Sequence, residues 1–326
     1  MKSRWMHHTM LIALALNLAA CGGSSGLIQS VPAVEGNPDA VVGAPACFQA
    51  QLDRGGVFKR LVRGPATLDL KRPVDAWFSA DYLYILDADA FEVIQLAMEK
   101  DLWKVDTRRA FERDIQAHSI AVAGDRVFLS DPANARVVAY SKDFKDRQDF
   151  THADLVSPTD LALLQEGPQL VVADAKAGQI FVFDTQGELI STIGQRGPDS
   201  GRLKAPVAVA VHRGKQEIVV VDGMSRQIKK YSSDGNYLGV FSGPGKGNGK
   251  LAYPSGVACL GANRLAIADQ LAGGLILFDY NGDWLGTWTV TPATSGLAGL
   301  ASNGKVLLLC EDRTPKLDLF TIRPRN

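Results

Sequence analysis

An all-β fold, six four-stranded antiparallel sheets closed into a ring, is what this 326-residue chain predicts, and three observations predict it. An acidic residue ends an apolar run six times, at Asp87, Asp131, Asp174, Asp222, Asp269 and Glu311, at spacings of 42 to 48 residues. Nine positions after each acid stands an apolar or aromatic residue: Leu96, Tyr140, Phe183, Tyr231, Phe278 and Phe320. A proline opens a further apolar run upstream of four of the acids, at Pro73, Pro158, Pro206 and Pro254. Repeats two and six keep the same rhythm without proline, as "AHSIAVA" and "LAGLAS". A fixed period of this length marks a repeat architecture.

The repeat at 206–241 shows what one unit contains. Pro206 suits the first residue of a strand, where no ladder hydrogen bond is lost. Val207 to Val211 is short and rich in Ala and Val, small enough for strands that crowd around an axis. Glu217 to Val221 is a continuous apolar run, as a strand covered on both faces requires. Asp222 follows, and its carboxylate can accept amides of the next turn. Gln227 to Ser232 alternates polar and apolar residues, so one face is more exposed. "SDGN" at Ser233–Asn236 is a hairpin turn, matched by "TQGE" at 185 and "YNGD" at 280, and Tyr237 to Phe241 is the outer edge strand.

A lone sheet of this kind cannot cover its apolar faces. Stacking each on the next covers them, and closing the ring removes exposed ends. The prediction is therefore a six-bladed β-propeller over residues 51–326. Repeat six supplies Leu300, Val306 to Cys310 and Leu317 to Ile322, then runs out, so its fourth strand is missing. A strand from the N-terminal side is expected to fill that place and close the last blade, and Val57 to Arg63 is the segment expected to do so.

Residues 1–20 read as a signal peptide. Lys2 and Arg4 precede an apolar run from Met10 to Ala20 that is short for a membrane span. The run ends in "LAAC", Leu18 to Cys21, which resembles the lipobox of bacterial lipoproteins. That resemblance implies cleavage before Cys21 and acylation (palmitate among the chains) of this cysteine. Several acyl chains on one residue anchor firmly, since each buried methylene contributes roughly 0.8 kcal/mol. Gly22, where a retention signal would place Asp, points to the outer membrane. Residues 21–50 form the lipidated cysteine and a tether of small residues with no apolar period. The localisation expected is the bacterial cell envelope.

Lys and Arg number 35, as do Asp and Glu, so nothing suggests a nucleic-acid surface. The four cysteines are Cys21, Cys47, Cys259 and Cys310. With Cys21 lipidated a disulfide framework is not expected, and Cys259 and Cys310 read as small buried hydrophobes. A bridge from Cys47 stays open.

The order of proline, small-apolar strand, β-branched run, Asp, polar turn and aromatic resembles the NHL repeat. "SDPANARVVAY" at Ser130–Tyr140, with Asn134 and Arg136, carries the resemblance best. The Gly-rich links "GQRGPDSGRLKAP" (Gly194–Pro206) and "SGPGKGNGKLAYP" (Ser242–Pro254) are similar to that family's connectors. The resemblance spans residues 73–322. The first repeat departs from it in its turn and in "MEKDLWKVDTRRAFERD", and the sixth carries Glu311 for Asp. NHL proteins mostly act through interactions, which is what the resemblance implies.

Candidate chemistry is sparse. "GPGKGNGK" (Gly243–Lys250) lacks the Gly-Lys-Ser/Thr of a phosphate loop and reads as a link. His118, His152 and His212 fall at an inner-strand start, in a link and at the opposite rim, so no metal centre is read from them. The acids that end each second strand recur in every blade, which argues for a structural role at the turn. The third position of each inner strand varies: Asp75, Ser119, Asp160, Ala208, Gly256 and Gly299. Asp75 and Asp160, with His118, are the candidate channel-mouth residues. Two carboxylates there can hydrate the channel, or hold a divalent cation or a sugar. Gluconolactonase-like propellers hold a divalent metal on carboxylates at this place, and amidating lyases share the blade type.

The blade-to-blade links and the turns between second and third strands share one face, where recognition on a rigid scaffold usually sits. Trp103, Arg108 and Arg109 in the first link and Arg196 and Arg202 in the third are the candidate binding residues, suited to a protein or polyanionic glycan. The sequence thus reads as a lipid-anchored binding scaffold more than as an enzyme, with no cofactor read beyond a divalent cation that the channel mouth could hold. The competing class is a metal-dependent hydrolase or lyase, lactonase-like, working at the channel mouth.

Overall fold

The computed structural model describes residues 48–50, 68–99, 102–164, 168–245, 248–289, 296–304, 306–313 and 315–321. The chain first contributes β1 (Phe48–Ala50) and then six blades. Blade 1 is β2 (Pro73–Phe78), β3 (Tyr82–Asp87), β4 (Glu92–Glu99) and β5 (Leu102–Ala110). Blade 2 is β6 (Ile120–Ala123), β7 (Arg126–Asp131), β8 (Arg136–Ser141) and β9 (Arg147–Phe150). Blade 3 is β10 (Pro158–Leu164), β11 (Gln169–Asp174), β12 (Gln179–Phe183) and β13 (Leu189–Ile193). Blade 4 is β14 (Pro206–His212), β15 (Glu217–Asp222), β16 (Gln227–Ser232) and β17 (Tyr237–Phe241). Blade 5 is β18 (Pro254–Leu260), β19 (Arg264–Asp269), β20 (Gly274–Asp279) and β21 (Trp284–Thr289). Blade 6 is β22 (Leu297–Ser302), β23 (Val306–Glu311) and β24 (Lys316–Thr321), with β1 as its fourth strand.

Every sheet is antiparallel and pairs its strands in sequence order from the axis outward, apart from β1. The inner strands touch in the cycle β2, β6, β10, β14, β18, β22 and back to β2, so the ring is closed. Six apolar seams hold it, one at each junction between neighbouring blades. The repeat residue nine positions after each acid enters these seams: Leu96, Tyr140, Phe183, Tyr231, Phe278 and Phe320 are all buried. The second strands are covered on both faces, as Ile218, Val219, Val220 and Val221 illustrate.

The N-terminal strand does close the last blade, through Phe48 opposite Thr321, Gln49 opposite Phe320 and Ala50 opposite Leu319. The described closing strand is thus Phe48–Ala50, and Val57 to Arg63, the segment expected there, lies outside the described residues. The three described pairs cover the Leu319–Thr321 end of β24.

The acids at the ends of the second strands are wholly buried. Asp174 accepts amides from Val156 (2.6 Å) and Ser157 (2.7 Å) in the preceding link, and from Lys176 (3.0 Å) and Ala177 (2.8 Å) in its own turn. Asp87, Asp222 and Asp269 do the same in blades 1, 4 and 5. Each carboxylate thus ties a link to a turn and builds one face of the disc, hereafter the link face. The sequence foresaw the turn half of this arrangement and not the link half. Asp131 uses Asn134 and Arg136 side chains beside the Gln116 amide. Glu311 pairs with Lys316 at 2.7 Å.

Candidate functional site at the channel mouth

A β-bulge after the opening residue of the inner strands sets the site. The register slips between Pro73 and Asp75, Pro158 and Asp160, Pro206 and Ala208, and Pro254 and Gly256. A bulge re-aims a side chain. Here it turns the third residue of each strand toward the neighbouring blade at the top of the channel.

Three of these six residues form one hydrogen-bonded chain. Ser119 Oγ lies 2.7 Å from Asp75 Oδ2 and 2.8 Å from Asp160 Oδ1. Each also accepts the amide of the fourth residue in the next blade: Ile120 N–H donates to Asp75 (2.9 Å), Leu161 N–H to Ser119 (3.1 Å) and Val209 N–H to Asp160 (2.8 Å). The other half of the ring carries Ala208, Gly256 and Gly299, which have no polar side chain. Gly299 is required where it stands, since a Cβ there would fall 2.6 Å from Asp75 Oδ1 and 2.5 Å from Val74 O.

Burial, then the Asp160 charge, push Asp75 up to about 8, against the pull of Ile120, Ser119 and Ala76. Burial also raises Asp160, opposed by the Val209 amide, Ser119, the Leu161 amide and the nearby His118 imidazole. His118 is exposed at the mouth and its Nδ1–H donates to Thr159 O at 2.7 Å. Below it a cavity of about 340 Å³ runs down the axis from His118, Thr159 and Ser255 to Phe78, Cys259 and Asn303.

Of the sequence candidates, Asp75, Asp160 and His118 therefore meet, and Ser119 joins them. The carboxylates do not form a cation cage: the two are bridged by a serine and hold backbone amides. Among the described residues no three His, Cys, Asp or Glu side chains stand together as metal ligands. His212, at the far end, is buried and locked: Lys215 N–H donates to Nδ1 (3.1 Å) and Nε2–H donates to Ala262 O (2.6 Å). His152 lies in a link, 3.8 Å from Asp154.

The loop candidates divide. Trp103, Arg108 and Arg109 do not lie in a link. They lie on β5, the outer strand of blade 1, because the first repeat extends its last hairpin to nine residues on that strand. Trp103 is buried against Phe78, with ring centroids 6.0 Å apart, and packs in the seam between blades 6 and 1. Arg108 pairs with Glu92 at 2.8 Å, and Arg109 is exposed. Arg196 and Arg202 do lie in the link between blades 3 and 4; Arg196 donates to Lys176 O at 2.7 Å and Arg202 pairs with Asp199 at 3.5 Å. Sequence reasoning missed the exposed apolar residues of the link face: Val156, Met224, Tyr253 and Leu271. The available signal was that Met224 and Leu271 take the turn position where blades 1 and 3 carry Asp89 and Lys176.

A family described as "6-bladed beta-propeller" matches residues 161–244. Solved structures with the same architecture include a catalytically inactive virginiamycin B lyase from Staphylococcus aureus bound to quinupristin. It is 14% identical, with a TM-score of 0.59 over 80% of this chain and 83% of that one. A gluconolactonase from Xanthomonas campestris is 17% identical, with a TM-score of 0.56 over 78% and 87%. A chain of the nidogen/laminin complex is 16% identical, with a TM-score of 0.56 over 68% and 82%. The likeness is one of fold. The fold hosts enzymes and binding proteins alike, so function has to be argued from the site. No curated protein sequence matches the chain.

Proposed function

We propose that this protein is an NHL-type propeller, lipid-anchored through Cys21 in the bacterial envelope at the outer membrane, that binds a protein or glycan partner through its link face. One observation carries the reading. Val156, Met224, Tyr253 and Leu271 are large apolar side chains, 44% to 67% exposed, and all four lie in links or second turns. Apolar and aromatic side chains on loops of a rigid scaffold are the usual anchors of recognition. The nidogen/laminin structure supports the reading to the extent that a fold of this kind occurs in a protein complex. Crosslinking in native envelopes, followed by identification of the attached molecule, tests it. Replacing Met224, Tyr253 and Leu271 together with Ser is expected to abolish the crosslink; an undiminished crosslink from a folded variant rejects the link face.

A second reading, a hydrolase or lyase at the channel mouth, is favoured by the exposed His118 beside Asp160 over an open cavity. Lactonase and lyase neighbours support it at the level of fold. A metal-dependent form would need donors beyond those described. His118→Ala and Asp160→Asn separate the readings: partner binding survives both if the link face is the site.

A further inference from the structure

One hydroxyl stands between two carboxyls at the top of the channel. A serine hydroxyl has one hydrogen and two acceptor lone pairs. The Leu161 amide, shared with Asp160 Oδ1, faces one lone pair of Ser119 Oγ from 3.1 Å. The hydroxyl hydrogen serves one carboxyl. The contact with the second carboxyl is attractive only when that carboxyl donates into the remaining lone pair. Otherwise an anionic oxygen faces an oxygen lone pair at under 3 Å. The donor count therefore requires one further proton.

The surroundings say which acid carries it. Asp160 accepts the Val209 amide at 2.8 Å, shares the Leu161 amide (2.9 Å) with Ser119, lies half-buried, and has His118 beside it. Asp75 is more deeply buried, with Gly299 of blade 6 against its Oδ1. It accepts the Ile120 amide at 2.9 Å, and the titratable groups facing it are Asp160 from blade 3 and the Cys310 thiol from blade 6. No cation stands at Asp75 among these. The arrangement is Asp75 Oδ2–H donating to Ser119 Oγ, and Ser119 Oγ–H donating to Asp160 Oδ1.

We propose that Asp75, Ser119 and Asp160 form a proton-dependent latch, in which one proton held on Asp75 ties blades 1, 2 and 3 together at the channel mouth and whose loss loosens that arc. The latch reaches blade 4 through the Val209 amide. It cannot extend further, because Ala208, Gly256 and Gly299 offer no oxygen at this level. On release the proton passes to solvent, and two anions then share a single hydroxyl hydrogen. Burial and the Asp160 charge place that step near 8.

The test is an infrared pH titration of the folded protein between about pH 5 and about pH 10, with amide exchange followed in parallel. Burial also raises Glu311, to about 7, so Glu311→Gln serves as the background in which Asp75 is read. The expected result is one protonated-carboxyl stretch lost with a midpoint near 8, accompanied by a stepwise rise in exchange at Ile120, Leu161 and Val209. Asp75→Asn should remove both the band and the step. Asp160→Asn should lower the midpoint, because the like charge is gone and the serine hydrogen is free for Asp75. A protein with no protonated carboxyl at neutral pH, a band that survives Asp75→Asn, or a midpoint that rises in Asp160→Asn would overturn the latch. The band is measured without any Asp75 variant, so a failure of Asp75→Asn to fold leaves the Asp160→Asn shift as the deciding result.

Discussion

Gly299 and Asp75 come from opposite ends of the propeller chain and share one space. A methyl group on Gly299 would lie 2.6 Å from Asp75 Oδ1 and 2.7 Å from its Cα. The last blade meets the first at this contact, and the absence of a side chain on one partner lets the other turn its carboxyl toward Ser119.

Gly299→Ala is therefore expected to destabilise the protein by about 1 to 3 kcal/mol through overpacking against backbone. Urea denaturation measures it. The same change at Gly286, where an added Cβ meets nothing within 4 Å and φ is not left-handed, should cost little and serves as the control.

The second-strand acids are expected to dominate the stability of the link face. Asp174→Ala leaves four amides without their acceptor. A loss of at least about 3 kcal/mol is expected, since each buried donor left unpaired is costly. Asp184→Ala, in a half-exposed turn with two accepted amides, should cost about 1 kcal/mol. Equal losses at the two sites would refute the structural reading of the repeat acid.

Trp103 gives a contrast between recognition and packing. Its ring fills the seam between blades 6 and 1 with Phe78, Leu317 and Leu319. Trp103→Ala should lower stability by about 3 to 5 kcal/mol. Partner capture by whatever fraction remains folded should be unchanged, which a crosslinking yield normalised to folded protein would show.

The pH dependence of stability follows from Asp75. Its folded value is raised from 3.8 to about 8 by burial and by Asp160, so within that window the folded state binds the extra proton. Stability from this group is complete below the lower value, declines as pH climbs through the window, and is level above it. Thermal midpoints of the wild type should fall across this range, and Asp75→Asn should flatten the fall. A slope unchanged in Asp75→Asn would assign the loss to another group.

Ring closure is also open to measurement. Removing residues up to Ala50 uncovers β24 at Leu319, Phe320 and Thr321. An exposed edge next to an apolar strand invites pairing with another chain. Self-association in ultracentrifugation is expected, and a monomeric truncation of unchanged stability would show that the clasp is dispensable.

Much of this was legible in the sequence because it repeats. Asp87, Asp131, Asp174, Asp222, Asp269 and Glu311 fixed the blade count, and the residue nine positions on marked the seams. Trp103 was misplaced because the first repeat's outer strand is longer than the others, and the aromatic-among-arginines pattern looks alike on a link and on a strand. Val57 to Arg63 lies outside the described residues, and the pairing of Phe48–Ala50 with β24 was not legible because three residues leave almost no mark in composition.

The sequence alone determined the number of blades, the strand order within each and the turn chemistry, since those are local and recur with the period of the chain. Tertiary structure alone decided that Asp75, Ser119 and Asp160 form one chain and that Gly299 must be bare beside it. These residues stand 41 to 44 positions apart along the first three blades and are joined only where the ring brings successive bulges face to face. A local pattern cannot report which groups end up sharing a proton, because that depends on curvature and closure, which no single repeat contains.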